Sequence, residues 1–186
     1  CVESHNRVAA LLGSYAQAWT LAGGTLCAAA DDAWEEYDLG LSEDTVNLGN
    51  TKTLSLELLL ASQPDFVIAS TKTNQHLQWQ DTLEAAGIPV AYFDVADFED
   101  YLHILQIFTQ ITGQEQMYQE NGLAVREQIQ EVIEKSKQRG ESPSVLVLRV
   151  SASSIRARGS EGNILGEILS DLGCTNIADV NDSLLE

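Results

Sequence analysis

Three arginines, Arg149, Arg156 and Arg158, are the residues of this sequence whose type and spacing most suggest chemistry. They are three of only ten basic residues in a 186-residue chain with a formal net charge of −18. The pattern places them in and after a predicted strand, in a loop that leads to a helix N-terminus, where backbone N–H groups favour anions. Guanidinium groups bind carboxylates through two parallel hydrogen bonds. The sequence therefore predicts an anion-binding wall of a cleft, the alternative being surface arginines that balance nearby acids.

The motifs of several common catalytic and cofactor sites are absent from the sequence. The loop after Arg149 lacks the GxxxxGK[ST] spacing of a phosphate-binding loop, and Leu12–Gln17 lacks the GxGxxG spacing of a dinucleotide-binding turn. The GxSxG motif of a nucleophile elbow is also missing. The three histidines, His5, His76 and His103, are scattered, without HxxxH spacing or grouped cysteines. We therefore predict no catalytic residues, no metal site and no bound cofactor.

The composition restricts the kinds of partner. The chain carries 28 acidic and 10 basic residues, a balance that argues against nucleic acid and against anionic membrane surfaces. No segment approaches the roughly 18 unbroken apolar residues of a membrane span, and no basic start followed by an apolar core marks a secretory signal peptide. We therefore expect a chain that is soluble as given, from which a leader could have been removed.

The three cysteines, Cys1, Cys27 and Cys174, have neither CxxC spacing nor an even number. The sequence therefore predicts neither a disulfide framework nor a zinc site. Cys27 and Cys174 lie in apolar runs and are expected to be core thiols. Cys1 has two interpretations: the lipid-modified first residue of a bacterial lipoprotein, or the first residue of a trimmed chain. The second is favoured because few residues separate Cys1 from the first predicted strand.

Residues 1–95 alternate between short apolar runs and helical segments. The apolar runs predict strands at Arg7–Leu12, Thr25–Ala30, Val46–Gly49, Phe66–Ser70 and Pro89–Val95. Short connections between alternating strands and helices predict a parallel sheet covered on both faces. The binding crevice of such a sheet lies at the carboxyl ends of its strands. The candidate ligand-binding residues there are Ser14, Tyr15, Asp31, Asn50, Thr51, Lys52, Thr71 and Lys72, with Trp34 as an apolar contact in a loop.

A long polar stretch at Gln114–Arg139 organises the rest of the chain. Its apolar residues recur at roughly helical spacing, and nearly all its other residues are good helix formers, with Gly122 as the one weak point. The pattern predicts a single helix that braces two β/α units. Four shorter helices are predicted before it. The first starts with a capping box at Ser14, and the others span Leu54–Ser62, Gln75–Ala86 and Ala96–Thr112.

After the predicted brace a second unit begins. Val145–Val150 is predicted as a buried strand, Ser151–Asn163 as a loop and Ile164–Leu172 as a helix. Because so few strands cannot bury both faces of a sheet, we expect exposed apolar surface after Val145 and less burial at the C-terminal end of the brace. The predicted fold class is α/β, with a Rossmann-like parallel-sheet lobe over residues 1–112, a connecting helix over 113–140 and an incomplete second α/β lobe over 141–186.

The segment Leu48–Ala69, LGNTKTLSLELLLASQPDFVIA, resembles the central motif of bacterial solute-binding proteins of the siderophore, haem and cobalamin type. That motif has approximately the form G-x-x-x-x-x-(S/N)-L-E-x-(I/L)-(L/I)-x-L-x-P-D-L-V-(I/L). Arg7–Leu11 is similar to the family's first strand, and Ile111–Gly113 before a polar helix is similar to its connector. Gly173–Asp179 is similar to its G-x-x-N-V-A segment, so the resemblance covers essentially the whole chain.

The resemblance implies two Rossmann-like lobes joined by one rigid helix, with the ligand held between them. It implies a protein in the periplasm or tethered to the outer face of the cell membrane, which delivers its ligand to an ABC permease. One Glu on each lobe of such a protein docks onto the permease; Glu57 matches the first, and the counterpart would lie beyond Glu186. The implied ligand is a small-molecule metal chelate, such as a ferric siderophore or a tetrapyrrole.

The basic residues favour an anionic member of that ligand class, because Lys52 and Lys72 join the three arginines at predicted strand ends. Two other interpretations remain, an enzyme on a Rossmann-like scaffold and a non-transport binding module. An enzyme of this kind would need a nucleotide motif or a ligand-spaced set of Cys and His residues, and neither is present.

Overall fold

The computed structural model describes residues 5–151, 153–161 and 164–179. The strands are β1 Val8–Ala10, β2 Leu26–Ala29, β3 Val46–Asn47, β4 Phe66–Ser70, β5 Val90–Phe93, β6 Ser144–Val145, β7 Val147–Val150, β8 Ile155–Arg158 and β9 Thr175–Asn176. The α-helices are α1 Gly13–Leu21, α2 Asp32–Glu35, α3 Leu56–Ala61, α4 Asn74–Gln78, α5 Gln80–Ala85, α6 Phe98–Thr112, α7 Glu115–Tyr118, α8 Ala124–Arg139 and α9 Ile164–Asp171. A π-helical turn spans Gln119–Leu123 and a 3-10 turn spans Ile177–Asp179. Within the described ranges, no helix is both long and apolar enough to cross a bilayer.

The described residues form two compact units. The first takes in residues 5–95 and 100–123, and the second takes in residues 96–99 and the described part of 124–179. The start of α6 belongs to the second unit and its remainder to the first, and the helical run after α6 is divided at residue 123. The sequence predicted boundaries at residues 112 and 140 instead, and that division of the chain stays a prediction.

The first unit is built on a parallel sheet in the strand order β3-β2-β1-β4-β5. Every neighbouring pair in it is parallel, as the alternation of short strands and helices predicted. The order runs outward in one direction from β1 and in the other from β4, so the two paired strands mark the point where the connections reverse. The Rossmann-like α/β prediction for this part of the chain is confirmed.

Helices cover both faces of this sheet. Alternate residues of a strand point to opposite faces, and β1 follows that rule, with Val8 and Ala10 in one core cluster and Ala9 and Leu11 in the other. α1 and α6 pack on the first face, and α3 and α5 pack on the second. Fully buried side chains of these helices include Trp19, Phe108, Leu59 and Leu83. Each such side chain contributes about 1.5–3 kcal/mol of hydrophobic stabilisation.

Two helices of the first unit differ from their predictions. α1 begins at Gly13, with Leu12 in the N-cap position and no side-chain cap, so the capping box predicted at Ser14 is wrong. The single helix predicted over 75–86 is two short helices, α4 and α5, which are separated by a turn at Trp79, where ψ is −8°. The indole of Trp79 is buried there.

The predicted brace is helical over residues 115–139 but is not one regular α-helix. A π-helical turn separates α7 from α8, and Gly122 lies within it. A Cβ atom on Gly122 would come within 3.1 Å of Leu102 Cδ2, so the small residue lets the turn pack closely on α6. Gly122 is buried, whereas Val132 is 56% exposed. The expected loss of burial toward the C-terminal end is therefore observed.

The second unit contains two small sheets. β6 pairs in parallel with β9, and β7 pairs antiparallel with β8. The strand predicted over 145–150 is thus shared between two sheets, and the loop predicted over 151–163 is wrong because it contains β8. The turn between β7 and β8 is closed by Ser151 N–H, which donates to the Ser154 carbonyl at 2.8 Å. Serine is a weaker turn signal than Gly or Pro, so the pattern did not reveal the hairpin.

Apolar side chains of the second unit are exposed to an unusual degree. Leu148 is 50%, Val150 67% and Ile155 70% exposed, which agrees with the expected exposed apolar surface after Val145. α8 and α9 border an apolar groove of about 280 Å³. Cys27 and Cys174 are half-buried rather than core thiols, and Cys1 lies outside the described residues.

Candidate functional site

The carboxyl ends of β1 and β4 lie side by side in the first unit. The two strands pair with Ala10 beside Ile68, and ligands of open α/β sheets bind beyond such a switch point. The chain enters α1 directly after β1, and it enters the loop 71–73 directly after β4. Ser14 and Lys72 therefore reach the same edge of the sheet, as the sequence predicted.

Hydrogen bonds to β5 hold the loop that follows β4. The Phe93 carbonyl accepts from the Thr71 N–H at 3.0 Å and from the Thr71 hydroxyl at 3.4 Å. The Lys72 amine lies 2.9 Å from the Asp94 carboxylate, and its hydrogen bond to Asp94 raises the pKa of Lys72. Because Lys72 is exposed, an anionic ligand can reach it, in competition with Asp94.

Tyr15 is a buried residue that supports this edge of the sheet. It is 5% exposed, and its hydroxyl donates to the Phe93 carbonyl at 3.0 Å. Its ring meets that of Phe93 edge to face, with centroids 6.4 Å apart, and burial raises the pKa of the Tyr15 hydroxyl. The observed contacts of Tyr15 are therefore internal, whereas the neighbouring Ser14 is exposed.

The N-terminus of α1 is occupied by a carboxylate of the chain itself. Gly13 N–H donates to Asp32 Oδ1 at 2.8 Å, and a Cβ on Gly13 would lie 2.6 Å from the Tyr37 ring and 2.8 Å from Asp32 Cγ. Burial raises the pKa of Asp32, while the hydrogen bond from Gly13 opposes that shift. Nucleotide-binding Rossmann folds place a phosphate at this helix N-terminus. In this chain the first N–H of α1 is bonded to the Asp32 carboxylate.

The loops after β2 and β3 complete the edge. Asp31 N–H donates to a carbonyl of the loop after β3 at 3.0 Å. Asn50 Oδ1 accepts from the Lys52 N–H at 3.1 Å, which engages the Asn50 side chain in its own turn. Thr51 and Trp34 are half-buried, and Lys52 is exposed. Of the predicted residues on these loops, Lys52 is therefore the best placed to meet an anion.

In the second unit, the β7–β8 hairpin places the three predicted arginines on one face, which we call the arginine face. Arg149 stands directly opposite Arg156, and directly opposed residues of an antiparallel pair share a face. Arg158 follows Arg156 by two positions, so it lies on that face as well. All three side chains are exposed.

The arginine face is unusual because like charges directly opposite each other destabilise a strand pair. The chain has 28 acidic residues, yet no acid among the described residues forms an ion pair with any of the three arginines. Both interpretations of the arginines, an anion-binding wall and surface charges balanced by nearby acids, stay predictions.

A model of the periplasmic binding protein family matches residues 8–184. The chain belongs to this family. The sequence resemblance stated above is thereby confirmed for the family, and a search of curated proteins returned no match to this periplasmic binding protein.

Solved structures show the same fold. A siderophore-binding protein, BauB, with two acinetobactin molecules and ferric iron, has 18% identity and a TM-score of 0.72, and the match covers 96% of this chain and 64% of BauB. The periplasmic haem-binding protein RhuT from Roseiflexus sp. RS-1 has 19% identity and a TM-score of 0.75, with 92% and 65% covered. A periplasmic haem-binding protein from Pseudomonas aeruginosa has 22% identity and a TM-score of 0.72, with 92% and 62% covered. This periplasmic binding protein chain spans less than two thirds of the length of these three proteins.

Glu57 of this periplasmic binding protein lies in the first turn of α3 and is exposed. The helix is capped by Ser55, whose Oγ accepts from the Leu58 N–H at 3.2 Å. The helix dipole stabilises an acid at such a position in any protein. The geometry therefore presents Glu57 to solvent without by itself assigning it a partner.

Two residues of the edge escaped the sequence analysis in their actual roles. Asp32 caps a helix that begins 19 residues earlier in the chain. His76 is fully buried, and its Nδ1 accepts from the Ser70 N–H at 3.0 Å. The spacing of His76 from the other histidines carried no signal, because the contact depends on where β4 ends and α4 begins.

Proposed function

We propose that this chain is the solute-binding component of an ABC importer and that its ligand is an anionic metal chelate, such as a ferric siderophore or a tetrapyrrole. Membership of the periplasmic binding protein family supports the class of function. The solved structures similar in fold include proteins described as binding a ferric siderophore complex or haem. The single observation that supports a negative charge on the ligand is the arginine face.

An anionic chelate would relieve the repulsion on the arginine face. Two opposed guanidinium groups can share the oxygen atoms of one carboxylate or catecholate. A hydrogen bond to a charged group contributes about 1.5–3 kcal/mol, so a ligand that engages two arginines gains substantial affinity. In the first unit, Lys52 and Lys72 supply further positive charge at the carboxyl edge of the sheet.

Delivery to a membrane permease is part of the same proposal. The chain would act on the outer side of the cytoplasmic membrane, in the periplasm or tethered to the cell membrane, and Glu57 would be a docking residue. The exposed position of Glu57 at the start of α3 supports this assignment. A binding module without a transport role would share the ligand but would not bind a permease.

Removal of two arginines tests the ligand assignment. We expect Arg156→Ala combined with Arg158→Ala to raise the Kd for a ferric tris-catecholate complex by about tenfold or more, since at least one charged hydrogen bond is lost. The affinity would be measured by quenching of intrinsic tryptophan fluorescence at fixed ionic strength, because screening weakens exposed charges.

The matched control is Lys137→Ala combined with Arg139→Ala, which removes the same charge from the exposed last turn of α8. This variant should bind the chelate as the unmodified chain does. An equal loss of affinity in both double variants would show that the effect comes from the net charge of the chain and not from the arginine face. Unchanged affinity in the Arg156 and Arg158 variant would refute the anionic-ligand assignment.

A further inference from the structure

Ser70 ends β4 at a place where its neighbour β1 has already ended. The N–H groups of Val67 and Thr71 point toward β5, where they donate to the carbonyls of Pro89 and Phe93. Alternate residues of a strand turn their N–H groups to the other side, so the Ser70 N–H points toward β1. The chain there has left the sheet for α1. The buried Ser70 N–H donates instead to the imidazole of His76, with 3.0 Å between N and Nδ1.

The protonation of His76 follows from this hydrogen bond. A backbone N–H can only donate, so Nδ1 is the unprotonated acceptor and the ring proton is on Nε2. Among the described residues, Nε2 has no hydrogen-bond partner although the side chain is fully buried. An apolar side chain of similar size would avoid the desolvation of that N–H. What His76 provides, and an apolar residue would not, is the acceptor for Ser70.

We propose that His76 is a positioning residue for the ligand-binding edge: by accepting from Ser70, it fixes the loop that presents Thr71 and Lys72. The network continues into the loop, because Ser70 Oγ accepts from the Lys72 N–H at 3.1 Å. It also reaches β5, because the Tyr92 hydroxyl donates to the His76 carbonyl at 3.3 Å. This inference rests on the proposed function insofar as a ligand uses that edge.

Two substitutions at His76 separate positioning from packing. His76→Leu fills the site without an acceptor, whereas His76→Asn keeps an oxygen at the same distance along the side chain as Nδ1. Leu83→Ala, at a fully buried position on α5, is the control for general loss of stability. The first readout is amide hydrogen exchange at residues 70–72 compared with exchange in β5.

We expect His76→Leu to speed exchange at residues 70–72 by about tenfold more than in β5, as befits the loss of one hydrogen bond. His76→Asn should restore most of the protection. Leu83→Ala should raise exchange in both regions alike. The inference is overturned if His76→Leu behaves as Leu83→Ala does, or if the two His76 variants lose protection at residues 70–72 equally.

The second readout is the Kd for ferric tris-catecholate and for haem, each used as a defined probe. His76→Leu should weaken binding of the probe that the unmodified chain binds by a few-fold to tenfold, with recovery in His76→Asn. Unchanged affinity in a His76→Leu variant with a loosened loop would overturn the role of His76 in binding. If the unmodified chain binds neither probe, the proposed function fails, and the exchange experiment still decides whether His76 positions the loop.

Discussion

At the carboxyl edge of the sheet, residues that face solvent alternate with residues that hold the edge together. Thr71 and Lys72 are exposed, whereas the neighbouring Ser70 is buried and bonded to His76. The hydroxyl of Tyr15, the residue next to the exposed Ser14, donates a hydrogen bond to the Phe93 carbonyl. A substitution at this edge can therefore affect ligand contacts or the framework, depending on which of two adjacent residues it changes.

His76 predicts an acid sensitivity of the fold. Burial lowers the pKa of His76 from 6.5 to about 4. Between these two pH values the imidazole is mostly protonated in the unfolded chain and mostly neutral in the folded state. With His76 neutral in both states, the free energy of unfolding has its full value above pH 6.5, and it falls as the pH is lowered toward 4. We expect this group to reduce the free energy of unfolding by roughly 2–3 kcal/mol between pH 7 and pH 4.

Urea unfolding at several pH values, with His76→Asn as the comparison, measures the pH-dependent contribution of His76 to the free energy of unfolding. The difference between the two proteins should change with pH in that window, while the exposed His103→Gln variant should track the unmodified chain throughout. A pH-independent difference between the unmodified chain and His76→Asn would contradict the prediction.

At the scale of the element, α1 and α3 both have a serine at or near their first residue but are capped differently. Ser55 caps α3 through its hydroxyl, whereas Ser14 makes no cap and the N–H of Gly13 in α1 is bonded to Asp32. A capping pattern in sequence shows that a serine is available. The tertiary structure decides whether a more distant carboxylate replaces it.

Ser55→Ala should lower the free energy of unfolding by about 1 kcal/mol, because the Leu58 N–H loses its acceptor. Ser14→Ala is the matched control and should change it by only a few tenths of that amount, on the order of 0.3 kcal/mol. Chemical denaturation of both variants under identical conditions makes the comparison. Equal effects of the two substitutions would show that the cap assignment is incorrect.

At the scale of the whole molecule, the two units differ in how completely they bury apolar residues. The first unit covers both faces of its sheet. In the second, the β7–β8 hairpin carries the arginine face on one side and the exposed Leu148, Val150 and Ile155 on the other. Exposed apolar patches of this kind promote association.

Val150→Thr combined with Ile155→Thr should reduce binding of a hydrophobic dye and reduce self-association in sedimentation measurements. Threonine keeps the β-branch that suits a strand, and both positions are mostly exposed, so stability should change by less than about 1 kcal/mol. Ile104→Thr, at a position 1% exposed, should instead destabilise the chain by about 2 kcal/mol or more. Dye binding that persists in the double variant would place the exposed apolar surface elsewhere.

The sequence by itself determined the parallel sheet, its two covered faces, the long helical run and the family, since apolar periodicity and the segment Leu48–Ala69 are local patterns. It also identified the arginines, because three bases stand out in a chain of net charge −18. Only the tertiary structure decided that Arg149 faces Arg156, that Asp32 occupies the start of α1, and that His76 completes the hydrogen bonding of β4. Strand register and the places where strands end bring these residues together, and such contacts leave no periodic trace along the chain.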